Sequence, residues 1–77
     1  MYAMFYNNYN LKTPITIDCS DTLIMDSCFY NCAVLQKIII TGTPKENLTT
    51  GTIFNGCSSL IDLTIPDKFP INSYAFY

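Results

Sequence analysis

The sequence predicts a β-solenoid, a fold in which one short strand-and-turn unit is repeated and stacked on itself. Three observations indicate this fold. A phrase of the form Phe-x5-Leu recurs, its Phe residues are spaced by 24, 25 and 22 positions, and alternating Leu and Ile residues follow each complete phrase. A period in the twenties is typical of one supersecondary unit per repeat, with a core that the neighbouring units complete. The Phe residues are Phe5, Phe29, Phe54 and Phe76.

The recurring phrase indicates a single repeat domain over residues 1–77. We expect repeats at about residues 1–24, 25–49 and 50–71, and the start of a further repeat at 72–77. The ends of a solenoid expose apolar edges unless they are capped. Because the chain opens and closes within a repeat, we expect a fragment of a longer array or a component that stacks on a partner. The alternative is a short array that begins at Met1.

The strand of each repeat is indicated by apolar residues at a spacing of two. In the second and third repeats these residues begin three positions after the Leu of the phrase, and in the first repeat one position later, near Pro14. Alternating β-branched residues are typical of a strand with one face in the core. We therefore expect parallel strands, one per repeat, with these columns inward. The columns are Leu11, Ile15 and Ile17; Leu35, Ile38 and Ile40; and Leu60, Leu63 and Ile65.

Other residues indicate how the chain turns. Gly42, Pro44, Pro66 and Asp67 end the strands, because Gly and Pro interrupt regular structure. We expect the apolar residues before the next Phe to line the far wall of the core; these are residues 23–25, Leu48 and Ile71. A tight bend follows each Phe, where Asn and Gly tolerate unusual backbone angles. The bend residues are Asn7, Asn31, Asn55 and Gly56, and the next column is Asn8, Cys32 and Cys57.

These columns together resemble the BspA-like class of leucine-rich repeats. The unit of that family is similar to Ala-Phe-x-x-Cys-x-x-Leu-x-x-Ile-x-Ile-Pro, and the stretch from Cys57 to Pro66 resembles it almost column for column. The resemblance covers nearly the whole chain. The departures are Asn8 in place of Cys, the extra residue of the first copy, and Thr49 in place of Ile.

The resemblance implies a right-handed leucine-rich-repeat solenoid, with parallel β-strands on one face and irregular or short helical segments on the other. It also implies surface-exposed bacterial or protist proteins with roles in adhesion and protein binding. Similar repeats in phage structural proteins imply a second, structural role.

Composition limits the kind of partner. The net charge is −2, the four basic residues are isolated Lys, and there is no Arg. Nucleic-acid phosphates require clustered Lys and Arg, so we expect no nucleic-acid partner. No apolar run approaches the roughly 20 residues of a membrane span, so we expect no membrane insertion.

The residues for catalysis are largely missing. There is no His, which excludes triads and Cys-His pairs within this chain, and the three Gly are isolated, which excludes a glycine-rich phosphate loop. Asp18, Asp21 and Asp26 lie between the first strand and the second Phe; we expect solvated loop acids there, with a calcium site as the alternative. We therefore expect no enzyme, no metal site and no cofactor.

The column that contains Cys32 and Cys57 is predicted to serve packing, because a small and usually buried side chain suits a stacked column. Cys19 is the least constrained by the repeat, and a free thiol is an option there. A zinc site would need Cys19 and Cys57 to converge on Cys28 and Cys32, but only one closely spaced pair is present where two are usual. A disulfide between Cys32 and Cys57 fits the spacing of neighbouring strands and remains an alternative to packed thiols.

The outward face of the strands is the candidate partner-binding face. The alternation places one row across the repeats, with Lys37 beside Asp62. The alternative is a solvated sheet face whose ion pair contributes little. Tyr6, Tyr30 and Tyr77 follow the repeat Phe and form a second candidate surface at the bend, since Tyr is favoured at interfaces. The residues of the strand face are Thr16, Lys37, Ile39, Thr41, Asp62 and Thr64.

We therefore expect a non-catalytic protein-interaction module, part of a surface or adhesin-type leucine-rich-repeat protein, with a host protein or an assembly protein as its partner. The alternative is a structural assembly subunit of a virion or surface layer, which docks through its open solenoid ends and stacks end to end with another chain. The resemblance favours a cell-surface or extracellular location, with the virion as the alternative.

Overall fold

The computed structural model describes residues 2–71 and 75–76 and contains one parallel sheet of three strands. The strands are β1 (Ile15–Asp18), β2 (Lys37–Thr41) and β3 (Asp62–Thr64), and they lie side by side in the order of the sequence. The expectation of one parallel strand per repeat is therefore confirmed. No helix occurs among the described residues, so the segments opposite the strands are turns and irregular chain there.

The register of the sheet locates the extra residue of the first repeat. Ile15 pairs with Ile38, and Ile38 pairs with Leu63. Leu11 and Ile15 are four positions apart, whereas Leu35 and Ile38 are three apart. The additional residue is therefore accommodated between Leu11 and β1, and the strands themselves remain aligned.

A column of stacked Phe rings runs along the bend of the repeats. The ring centroids of Phe5 and Phe29 are 5.3 Å apart, those of Phe29 and Phe54 are 5.8 Å apart, and those of Phe54 and Phe76 are 5.2 Å apart. The planes of neighbouring rings differ by 9°, 16° and 24° in the same order. Offset aromatic stacks of this kind contribute about 0.5 to 1.5 kcal/mol per pair beyond the area they bury. Each repeat thus covers the ring of the next.

The backbone at the bend alternates between two kinds of hydrogen bond. The N–H of Phe5 donates to the carbonyl of Cys28 at 2.7 Å, and the N–H of Phe29 donates to the carbonyl of Ile53 at 3.0 Å. Residues between these donors close turns within their own repeat, as when the N–H of Cys32 donates to the carbonyl of Phe29 at 3.2 Å. Because buried backbone groups require partners, this alternation lets an irregular segment pack without a helix.

Two columns at the bend have left-handed backbone angles, four residues apart in each repeat. The second column confirms the expected role of Asn and Gly, with φ of 57° at Asn7, 59° at Asn31 and 78° at Gly56. The first column includes Thr52 at φ 53°, which is unusual for a β-branched residue. Its hydroxyl lies 2.9 Å from that of Ser27, which has φ 57°, so neighbouring repeats support the same conformation.

The far wall of the core differs in part from the prediction. Met25 and Leu48 are buried as expected, but Leu23, Ile24 and Ile71 are 53%, 49% and 40% exposed, so their assignment to the core is wrong. For Ile24 the reason is the phase of the extended segment. Ile24 pairs with Thr49 in an isolated parallel bridge, and both are exposed. The residues that follow them, Met25 and Thr50, are buried instead. Thr49, which stands where the repeat pattern has Ile, therefore lies outside the core.

The strand side of the core is most completely buried in the middle repeat. Phe29, Cys32, Leu35 and Ile38 are fully buried, whereas the corresponding residues on either side, such as Leu11 and Leu60, are half-buried. The middle repeat has a neighbour on both sides, and each outer repeat has one described neighbour. The core is therefore a stack whose protection is greatest at its centre.

We expect Phe29→Ala to lower the free energy of unfolding by about 3 to 5 kcal/mol, because the ring is fully buried between two others and its loss leaves a cavity. Phe76→Ala is the matched control and should lower it far less, since its ring is exposed. Urea unfolding followed by circular dichroism measures both. Equal losses of unfolding free energy in the two variants would show that the central ring does not stabilise the stack more than the outer ring does.

Candidate functional site

The outward row predicted across the strands is present as a continuous line of side chains. Thr16 pairs with Ile39, and Ile39 pairs with Thr64. Both Thr residues are exposed and Ile39 is half-buried. Since Ile38 and Ile40 fill the core, the alternation of the strand directs Ile39 to the opposite face. The row therefore has an apolar centre between two short polar side chains.

A charge pair lies beside this row. Lys37 and Asp62 are directly opposite in the register, and Lys37 Nζ lies 3.6 Å from Asp62 Oδ2. The two side chains are 44% and 53% exposed. Exposed pairs of this kind contribute about 0 to 1 kcal/mol to stability. The fold does not depend on this pair, so both charges remain accessible to a partner.

The carboxyl end of the strand face holds Thr41 and a residue that the sequence reasoning missed. Thr41 is exposed, and its hydroxyl donates to the carbonyl of Ile17 at 3.4 Å. Asp18 pairs with Thr41 and is the last residue of β1, so its assignment to a loop is wrong. Asp18 is two positions after Thr16, so the alternation of side chains along a strand would have placed Asp18 on the same outward face.

The carboxylate of Asp18 is fixed by local hydrogen bonds. The N–H of Ser20 donates to Asp18 Oδ1 at 2.8 Å, and the hydroxyl of Ser20 accepts from the N–H of Thr43 at 3.2 Å. Hydrogen bonds from the Ser20 side chain and backbone lower the pKa of Asp18. This corner of the face therefore carries a negative charge at neutral pH.

The cysteine column is explained by hydrogen bonds between repeats. The thiol of Cys32 donates to the carbonyl of Phe5, and the thiol of Cys57 donates to the carbonyl of Phe29, both at 3.1 Å. All four thiols are free in the structure, which has no disulfide between Cys32 and Cys57. Within residues 2–71 and 75–76, no group of three or more His, Cys, Asp or Glu side chains is arranged to hold a metal ion.

Burial makes these thiols poor nucleophiles. It raises the pKa of Cys28 to about 11 and that of Cys57 to about 12, and it also raises the pKa of Cys19 and of Cys32. The thiolate is the reactive form of cysteine. At neutral pH the column is therefore protonated and suited to donating hydrogen bonds rather than to attacking a substrate.

A second candidate surface lies at the bend. The rings of Tyr6 and Tyr30 are stacked with their centroids 4.7 Å apart and their planes 8° apart. Tyr2 and Tyr9 are exposed nearby in the first repeat. The predicted continuation at Tyr77 lies outside the described residues. The aromatic surface described by the structure is therefore concentrated at the first two repeats.

Surface depressions are shallow and open. One of about 440 Å³ lies between the second and third repeats, beyond the ends of the strands. Two lysines face it, Lys45 and Lys68, together with Glu46. Its lining residues are Thr43, Pro44, Lys45, Glu46, Lys68 and Pro70.

The family of the chain is established by comparison with known proteins. A family model described as BspA type leucine rich repeat region (6 copies) matches residues 2–77. The chain belongs to the BspA-type leucine-rich-repeat family. No curated protein and no solved structure matches it.

Membership in this family fits the geometry described above. Leucine-rich repeats are generally non-catalytic and mediate binding between proteins, and BspA-type repeats are typically found in surface proteins. The part of the chain that the structure describes contains no helix long and apolar enough to cross a membrane. The strand face and the bend are thus the surfaces to consider for recognition.

We expect thiol ionisation to destabilise the fold at high pH. Burial holds the pKa of Cys28 at about 11, above the ordinary value of 9.0, so the unfolded chain loses this proton first. The stabilisation is complete below about pH 9 and declines as the pH rises toward 11. Urea midpoints from pH 7 to 11 measure the decline.

The matched control is Cys28→Ala, in which the decline above pH 9 should be shallower, because this variant lacks the buried thiol. Identical pH profiles for the two proteins would contradict the proposed burial of this thiol.

Proposed function

We propose that the chain is a solenoid interaction module, part of a surface or adhesin-type leucine-rich-repeat protein, and that its strand face recognises another protein. The observation that carries the proposal is the outward row of Thr16, Ile39 and Thr64 beside the exposed pair of Lys37 and Asp62. An apolar centre within a polar rim is the usual arrangement of a protein-binding surface. The parallel sheet and the stacked Phe column support the solenoid.

The proposed solenoid is divided into repeats at about residues 1–24, 25–49 and 50–71, with a further repeat beginning at 72. In this division each complete repeat supplies one strand and one Phe to the stack. The strand contributes to the recognition face, and the Phe contributes to the core. Sequence differences at outward positions then alter recognition without altering the stack.

The size of the strand face indicates how a partner would use it. Three strands about 4.8 Å apart give a face only about 10 Å wide. A stable interface buries about 800 Å² on each partner. A partner centred on Ile39 must therefore also contact the loops at the strand ends, where Lys45 and Lys68 face one depression. A protein with acidic groups opposite these lysines fits this surface better than a basic one.

A second function is favoured by the decrease in burial from the middle repeat to the outer ones. In this function the chain is a structural subunit of a virion or surface layer and docks through the ends of the stack. The half-buried Leu11 and Leu60 support it, because their counterpart Leu35 is fully buried. We propose a cell-surface or extracellular location, with a virion as the alternative, and a host or assembly protein as the partner.

The strand-face proposal is tested with Ile39→Asp and with Thr64→Arg. An array of secreted proteins and cell-surface ectodomains identifies binders of the wild-type chain, and biolayer interferometry measures their affinity for each variant. We expect at least about a tenfold loss with either variant, because a buried unpaired charge is costly.

The matched control for this experiment is Ile24→Asp, which adds the same charge at an exposed apolar residue outside the sheet. It should leave the affinity unchanged. Unchanged binding by both strand-face variants, or equal losses for Ile24→Asp and Ile39→Asp, would assign recognition to another surface. Circular dichroism confirms that each variant is folded.

A further inference from the structure

One departure from the repeat pattern supplies a side chain that the fold does not use. Thr49 stands where the pattern has Ile, and it is exposed. Its hydroxyl has no hydrogen-bond partner among the residues that the structure describes. The adjacent Thr50 is different, because it is buried and its hydroxyl donates to the carbonyl of Pro70. The fold therefore employs the hydroxyl of Thr50 but not that of Thr49.

The hydroxyl of Thr49 completes a three-residue motif. Asn47, Leu48 and Thr49 have the form Asn-x-Thr with a residue other than Pro in the middle. This is the sequence to which N-linked glycans are attached, on the surface of secreted proteins. In this sequence Asn47 is the one Asn that is followed two positions later by Ser or Thr. The motif thus depends on the replacement of Ile by Thr at position 49.

The structure places the Asn of this motif in an exposed turn between β2 and the far wall of the core. The N–H of Leu48 donates to the carbonyl of Lys45 at 3.1 Å, which closes the turn over residues 46 and 47. Asn47 is exposed, and its side chain has no hydrogen-bond partner within the described part of the chain. A bulky polar group on Asn47 Nδ2 therefore breaks no hydrogen bond of the described fold.

The motif lies outside the surfaces that carry the other roles. The outward row is formed by strand residues such as Ile39, and the Phe rings and the thiols of Cys32 and Cys57 lie at the bend. Asn47 belongs to neither region. It follows Glu46 in the chain, and Glu46 lines the depression beyond the strand ends. A group attached to Asn47 is therefore next to that depression and leaves the strand face uncovered.

We propose that Asn47 is an acceptor for an N-linked glycan. The transfer joins Asn47 Nδ2 to the anomeric carbon of an oligosaccharide that is carried on a lipid diphosphate. The bond between that carbon and the diphosphate oxygen breaks, and the lipid diphosphate leaves with the electron pair. The amide nitrogen gives up one proton to a base of the transferase. No atom is oxidised or reduced in this step.

The inference rests on one part of the first proposed function, the cell-surface or extracellular location, because the transfer takes place on a chain that enters a secretory pathway. It does not depend on recognition by the strand face. The transferase requires the motif, and the folded chain must then accommodate the glycan. The exposure of Asn47 meets the second requirement.

The experiment expresses residues 1–77 behind a secretion leader in cultured human cells. The mass of the secreted chain, measured before and after digestion with peptide N-glycosidase, shows whether a glycan is present. Digestion in heavy-oxygen water converts the glycosylated Asn to labelled Asp, so peptide mapping identifies its position. Asn47→Gln removes the acceptor amide, Thr49→Ala removes the hydroxyl, and Thr49→Ser retains the hydroxyl.

The matched control is Lys12→Thr, which turns the stretch Asn10-Leu11-Lys12 into a second motif with the same middle residue. Asn10 is exposed, as Asn47 is. This variant shows that the cells glycosylate an exposed Asn of this chain.

We expect the wild type to carry one glycan, located at residue 47. Asn47→Gln and Thr49→Ala should be secreted without it, whereas Thr49→Ser should retain it, which separates the need for a hydroxyl from any structural effect at position 49. Lys12→Thr should carry two glycans. The urea midpoints of the glycosylated wild type and of Asn47→Gln, followed by circular dichroism, should agree closely, because the turn is exposed.

Three outcomes overturn the inference. The first is a secreted wild-type chain without a glycan from cells that glycosylate Lys12→Thr at Asn10. The second is a glycan that persists in Asn47→Gln, and the third is a glycosylated wild type that is unfolded where Asn47→Gln is folded. Failure of the strand-face proposal is distinguishable, because binding by Ile39→Asp is measured on the same secreted protein. Unchanged binding in that variant contradicts strand-face recognition whether or not Asn47 carries a glycan.

Discussion

The structure depends on the hydrogen bonds that run from the N–H groups of one repeat to the carbonyls of the next along the Phe column. A segment without helix or strand would otherwise bury unpaired backbone groups, each of which costs about 1 to 3 kcal/mol. In this chain the donor at Phe29 reaches Ile53, and the intervening groups close turns. The rings stack because these bonds fix the separation of the repeats. The left-handed angles at Asn31 and Gly56 are compatible with the same spacing.

This constraint also gives the cysteine column its role. The carbonyl of Phe29 accepts both the N–H of Cys32 in its own repeat and the thiol of Cys57 in the next. A carbonyl oxygen has two lone pairs, so both bonds fit on one acceptor. The thiol thereby joins neighbouring repeats without a covalent link, and its protonated state is the one that burial favours.

The sequence was sufficient to predict the strands, their direction and their outward row, because a spacing of two fixes which face each residue takes once one core residue is known. Ile38 fixes the phase of β2, and Thr16, Ile39 and Thr64 follow from it. The same rule would have placed Asp18 on the face, but its acidic side chain suggested a loop. Ile24 was misassigned because the length of the return segment differs between repeats, so no neighbouring column fixes its phase. The spacing of the sequence placed Cys32 and Cys57 in one column, but it did not indicate that their thiols donate hydrogen bonds to the neighbouring repeat.

The full burial of the core columns in the middle repeat has a consequence for motion. In stacked repeats each unit contacts only its neighbours, so opening begins at the outer units and proceeds inward. Local stability then follows the number of covered sides, and amide exchange is slowest where both sides are covered. β2 lies in that repeat and carries Ile39 and Lys37 on its outer face. The centre of the proposed recognition surface is thus held by the repeat that has a described neighbour on both sides.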